Sequence, residues 1–152
     1  MPKASVKRLI ECSKKDLIDL VLDIEKYPEF VPFCFDAKIY ENKKEGDLRK
    51  IVADLTIGKG PFKDTYKSDV VFNQKKDTIF VKNIEGPLNH LSNNWIFNDK
   101  QNGITEVTFD IDFEIKNKFL NSLMVVSFQF GLEKIADAFQ KRAEELFGNS
   151  KN

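Results

Sequence analysis

Apolar and polar residues alternate strictly along 107–115. Val107, Phe109, Ile111, Phe113 and Ile115 share one parity, and Thr108, Asp110, Asp112 and Glu114 the other. A side-chain period of two places the first set on one face of a strand and the second on its back, as in an antiparallel sheet with one dry and one wet face. The opening segment reads similarly: Ala4, Val6, Ile10 and Cys12 alternate with Lys3, Ser5 and Lys7, and Arg8 breaks the apolar parity. Further strand-like runs fall at about 36–42, 47–57, 65–74, 77–84 and 90–98, with the last at 104–116. Lys43–Gly46, Gly58-Lys59-Gly60-Pro61, Lys75–Asp77, Gly86-Pro87 and Lys100–Gly103 supply the turns between them. Connections this short favour antiparallel hairpins.

Two segments carry a helical period instead. Ser13 is a predicted N-cap with Asp16 three residues on, and Leu17, Leu20, Val21 and Ile24 then repeat up to Tyr27-Pro28, where the proline is expected to end the helix. A second helix is predicted from about Phe119 to Phe147, stopping at Gly148, with a length of roughly 43 Å at 1.5 Å per residue. The order β–α–(β)6–α, with no linker or repeat, predicts a single α+β domain over 1–152: a curved antiparallel sheet of six or seven strands wrapped around a long C-terminal helix.

That last helix changes character along its length. From Glu133 onward it is amphipathic, with Ile135, Ala136, Phe139, Ala143 and Leu146 on one side. Its first half is apolar all round: Phe119, Leu120, Leu123, Met124, Val125, Val126, Phe128, Phe130 and Leu132. One sheet cannot surround such a helix, so part of this surface must meet something other than the domain's own core. Met124, Phe128 and Leu132 are assigned to the roof of a cavity, and Phe119, Leu123 and Phe130 to its entrance or a lipid surface. A homodimer interface is the competing reading. Gly131 marks either a kink or a close approach. The loop Tyr27–Phe35 is equally apolar, and Tyr27, Phe30, Val31 and Phe33 are read as a lid at the cavity mouth, or alternatively as a plug sealing one end of the core. The dry face of 107–115 adds Phe109 and Phe113 to the pocket.

Composition narrows the chemistry. Phe occurs 14 times against one Trp and three Tyr, and a side chain without a polar tip must face a core, a cavity or a partner. Lys plus Arg equals Asp plus Glu at 24 each, so free DNA is not an expected partner. His90 is the single histidine, and Cys12 and Cys34 form no CxxC pair, so no metal site and no catalytic residue are predicted. Gly58-Lys59-Gly60-Pro61 lacks the spacing of a phosphate loop. Asp110, Asp112 and Glu114 read as a solvated strand face. The N-terminal MPKASVKRLIEC has neither an apolar nor an Arg-rich leader, and no stretch reaches the ~20 apolar residues of a membrane span. A cytoplasmic protein is expected, touching the inner membrane only peripherally.

YPEFVPFC after the first helix, EGPLNHLSNNWIF in the late strands, DFEIKNKFL before the last helix and the ending AFQKRAEELFG resemble the coenzyme Q-binding START-like family, over about Lys3 to Gly148. That family includes a mitochondrial coenzyme Q-binding chaperone and the bacterial RatA ribosome-association toxins. The resemblance implies a helix-grip fold and ubiquinone or a related polyprenyl lipid as ligand. It also implies no required cofactor, and a chaperone role supporting respiratory electron transport without catalysis. On matching positions it gives Tyr27, Pro28, Phe30, Val31 and Pro32, then Gly86, Pro87, Leu88 and Trp95, then Phe119 and Phe139. Phe33 stands where mitochondrial relatives tend to carry Trp, and Asn93-Asn94 also departs from the pattern, with a changed turn as the expected consequence. Tyr66, Ser68, Asn83 and Ser92 are candidates to orient a head group. The runner-up functions are binding to the large ribosomal subunit as a translation regulator and, behind it, a polyketide cyclase-like enzyme.

Overall fold

The alternation read along 107–115 is the backbone of the architecture. In the computed structural model seven strands form one antiparallel sheet: β1 (Lys3–Ile10), β2 (Cys34–Glu45), β3 (Leu48–Lys59), β4 (Phe62–Asn73), β5 (Thr78–Glu85), β6 (Leu88–Asp99) and β7 (Thr105–Ile115). The structure describes residues 3–59, 61–86 and 88–147, with the side chains of Lys59, Phe62, Leu88, Leu120 and residues 123–128 outside that description. The expected helix stop at Gly148 lies outside it too. The strand order is β1-β7-β6-β5-β4-β3-β2, so the first strand closes against the last and β2–β7 form a meander. Register shifts in β2 between Cys34 and Asp36 and between Ile39 and Glu41 mark irregularities of the kind that bend a sheet.

α1 (Lys14–Leu22) begins as expected. Ser13 is its N-cap, and its Oγ accepts the Asp16 N–H at 3.1 Å. It ends earlier than the apolar period suggests. The chain passes at Asp23 into a 3-10 turn, Ile24–Glu29, that contains Pro28. A proline ring collides with the carbonyl four residues before it in an α-helix, here that of Ile24, and the tighter winding avoids that clash. Tyr27 anchors the turn by donating from its hydroxyl to the Val21 carbonyl.

α2 (Lys118–Phe147) lies across the inner face, running alongside β1. Gln129 reaches the Ser5 carbonyl, Arg8 reaches Asp137 at 2.5 Å, and Gln140 reaches the Leu9 carbonyl. Arg8 shares the parity of buried Val6 and Ile10, yet needs no buried partner. From the edge strand its long stem extends over the core to the polar flank of α2.

The main core joins α1, the second half of α2 and inner-face residues across the sheet, from Val6 and Ile10 of β1 through Trp95 and Phe97 of β6 to Ile51 and Ala53 of β3. Trp95 packs on Phe109 with ring centres 4.2 Å apart and meets Phe139 edge-on at 5.1 Å. Tyr27 and Phe30 close on Phe139 from the other side at 5.3 and 5.1 Å. Phe139, Leu132, Ala136 and Ala143 are all buried.

Two glycines carry opposite demands. Gly86 has φ +135°, and a Cβ there would lie 2.7 Å from Tyr66 Cβ and 2.9 Å from its Cα. A Cβ added at Gly131 on α2 would lie 3.9 Å from Phe33 Cε2, an ordinary van der Waals contact. Gly86→Ala is therefore expected to cost on the order of 2–4 kcal/mol, from backbone strain and collision with β4, lowering the melting temperature by roughly 5–15 °C. Gly131→Ala should instead raise stability by up to about 1 kcal/mol, the helix-propensity difference. Thermal unfolding of both variants checks the pair: an unchanged Gly86→Ala or a destabilised Gly131→Ala contradicts these assignments.

Candidate functional site, the inner face beneath the first half of α2

Register along the meander sorts the inner face into rows. Trp95 opposes Phe109, Asn93 opposes Ile111, and Leu91 opposes Phe113. On the neighbouring strands Ser68 lies between Ala53 and Asn83, and Tyr66 opposes Leu55. The apolar residues of these rows form two clusters. One is the main core. The other comprises Tyr66, Leu91 and Phe113, with Leu55, Ile111 and Ile115 packed against it, at the end of the sheet from which β7 leads into α2.

Polar groups divide the two clusters. Among the described residues the buried polar side chains are Ser68, Asn93 and Thr105. Ser68 Oγ donates to the Ala53 carbonyl at 3.4 Å. The Asn93 amide donates to the Asp110 carbonyl and accepts from Trp95 Nε1, both at 2.9 Å. Asn83 Oδ1 accepts the Leu91 N–H at 2.9 Å, just past the end of the β5–β6 ladder. Asn93 and Asn94 stand inside β6, as the strand expected over 90–98 places them, and Asn93 holds the Trp95 indole in place. Sequence reasoning passed over Asn93 as a site residue, although its alternation with Leu91 and Trp95 places it on the inner face. Ser92 has the opposite parity and stands on the outer face beside Asp112. Asn83, Ser68 and Tyr66 stand on the inner one.

The lid and roof residues separate on inspection. Tyr27 and Phe30 pack on Phe139, while Phe33 covers Gly131. Phe33 holds a left-handed conformation, φ 69°, that a bulky residue seldom adopts, and its carbonyl accepts the Gly58 N–H at 2.9 Å. On the outer side of this segment, Pro28, Phe30, Val31 and Pro32 face Lys134, Ala138 and Lys141 across an open groove of about 550 Å³. Trp95, Phe109 and Leu132 belong to the main core, and Phe113 to the second cluster. The side chains of Leu88, Leu123, Met124 and Phe128, and all of Pro87, lie outside the described residues. Phe119 and Phe130 are 70% and 64% exposed, and Lys134 lies over the Phe130 ring. Helical spacing puts positions 119, 123, 126 and 130 on one stripe.

The electrostatics of this region are those of a neutral apolar site. Burial pushes the Cys12 and Cys34 thiols up to about 11, so both stay protonated and poorly nucleophilic at neutral pH. Burial likewise raises the Tyr27 and Tyr66 phenols well above their ordinary value. Among the described residues no group of three His, Cys, Asp or Glu side chains is placed to hold a metal, and no helix is long and apolar enough to cross a membrane.

Comparison with known proteins agrees with this architecture. The family described as polyketide cyclase / dehydrase and lipid transport matches residues 10–140. The mitochondrial coenzyme Q-binding protein of Dictyostelium discoideum is 33% identical over 135 residues, covering 86% of this chain but 63% of that protein's length. The ribosome association toxin RatA of Rickettsia prowazekii is 32% identical over 143 residues, covering 91% of this chain and 94% of that one. A START superfamily protein from Mycobacterium smegmatis superposes with a TM-score of 0.81 at 19% identity, over 95% and 98% of the two chains. A seven-stranded sheet gripping a C-terminal helix, with a family match spanning most of the chain, places this protein in the polyketide cyclase / dehydrase and lipid transport family, with the START-like fold.

Proposed function

We propose that the protein binds a polyprenyl lipid, ubiquinone or a close relative, between the second apolar cluster and the first half of α2, and carries it without chemical change. The carrying observation is the division of the inner face. Phe139 and its aromatic neighbours fill one end, whereas Leu91, Phe113, Leu55 and Ile115 belong to a separate apolar cluster at the end from which β7 leads into α2, whose first half is apolar all round in sequence. The likeness to the Dictyostelium coenzyme Q-binding protein supports the ligand class. The physics suits the task. Each methylene withdrawn from water contributes about 0.8 kcal/mol, so one isoprene unit of five carbons contributes roughly 3–4 kcal/mol. Two or three buried units then exceed the cost of association in a preformed hollow. Exposed Phe119 and Phe130 on α2 are suited to meet the membrane from which such a ligand is collected.

A second reading is association with the ribosome. It is favoured by the match to the Rickettsia toxin, which runs over 94% of that protein's length. Co-sedimentation with large ribosomal subunits at physiological salt separates the two readings.

Freshly purified protein is expected to carry a polyprenyl quinone, seen as a mass adduct under native conditions and in an organic extract. Stripped protein should take the quinone up from vesicles. Protein that is repeatedly free of lipid and takes up none contradicts the proposal. Binding to ribosomal subunits in the same preparation would favour the second reading.

A further inference from the structure

The protein has three tyrosines, and two have hydroxyls with a protein acceptor: Tyr27 donates to the Val21 carbonyl and Tyr40 to Asp54 Oδ2. Tyr66 differs. It is 9% exposed, on the inner face within the second apolar cluster, and its hydroxyl makes no hydrogen bond among the described residues. A phenol on an apolar inner face ordinarily finds a partner for its hydroxyl. The side chain is also held in place. The backbone of Gly86 lies so close to Tyr66 that no larger residue fits, and Leu55 stands opposite on β3.

Resting on the lipid-binding reading above, we propose that the Tyr66 hydroxyl donates a hydrogen bond to an oxygen of the bound lipid, its hydrocarbon lying over Leu91, Phe113 and Ile115. The chemistry of the surroundings narrows that oxygen. The buried polar side chains among the described residues are all neutral amides and hydroxyls, so none offers the cation a carboxylate or phosphate would need. A neutral acceptor such as a quinone or ketone carbonyl fits. Tyr66 is thus a specificity-determining residue, favouring a lipid that carries a carbonyl over a plain isoprenoid hydrocarbon.

The test compares a ubiquinone of two isoprene units with an isoprenoid hydrocarbon of matched tail, titrated into wild-type protein and Tyr66→Phe. The variant keeps the ring that packs on Leu91 and Phe113. It is expected to bind the quinone about five- to thirtyfold more weakly. It should bind the hydrocarbon as the wild type does, and that arm also reports that the site is intact. Equal quinone binding by both proteins, or equal loss of both ligands, overturns the assignment. The infrared carbonyl stretch of quinone bound to the wild type gives an independent measure. It should move to lower wavenumber than in hydrocarbon solvent, and an unmoved band overturns the assignment even if the variant fails to fold. A wild type that binds neither compound overturns the lipid reading itself and this inference with it.

Discussion

A single aromatic contact organises the molecule: Phe139 of α2 sits between Trp95 on the sheet and the Tyr27–Phe30 turn. Because it lies in the C-terminal half of a 30-residue helix, it fastens that half to the sheet. α2 must nevertheless continue over the rest of the inner face, because it starts directly after β7. The main core therefore gathers about Phe139, and a separate apolar cluster of Tyr66, Leu91 and Phe113 lies at the other end. Close packing at the anchored end and a separate cluster at the far end follow from one placement.

Among the described residues the inner-face polar side chains Ser68, Asn83 and Asn93 are a hydroxyl and two amides, each bonded to the backbone. Both cysteines are pushed toward the inert thiol form. Such a surface is compatible with the lipid binding proposed above.

Much of this was legible in the sequence. The period-two stretch 107–115 identified β7 with its correct face, and the turn residues located each hairpin to within a few positions, because alternation and turn chemistry are local properties. The change of character along α2 was legible for the same reason. Three features were not. The switch from α1 to 3-10 winding depends on how Pro28 is accommodated, and Arg8 on where α2 crosses the edge strand. The third, the juxtaposition of Gly86 with Tyr66, joins residues on neighbouring strands at an irregular point of the β4–β5 register. Each is a tertiary relation with no periodic signature. Within the Tyr27–Phe33 segment, Tyr27 and Phe30 pack on Phe139, while Phe33 lies against Gly131 of α2.

The claim that a hollow lies under the first half of α2 is tested most directly by tail length. Affinity measured for quinones bearing none, one, two and three isoprene units should rise by about tenfold or more per unit, as each is withdrawn from water, and level off once the hollow is full. Affinity that stays flat from the first compound to the last would contradict the account, because hydrocarbon would then gain nothing from this protein.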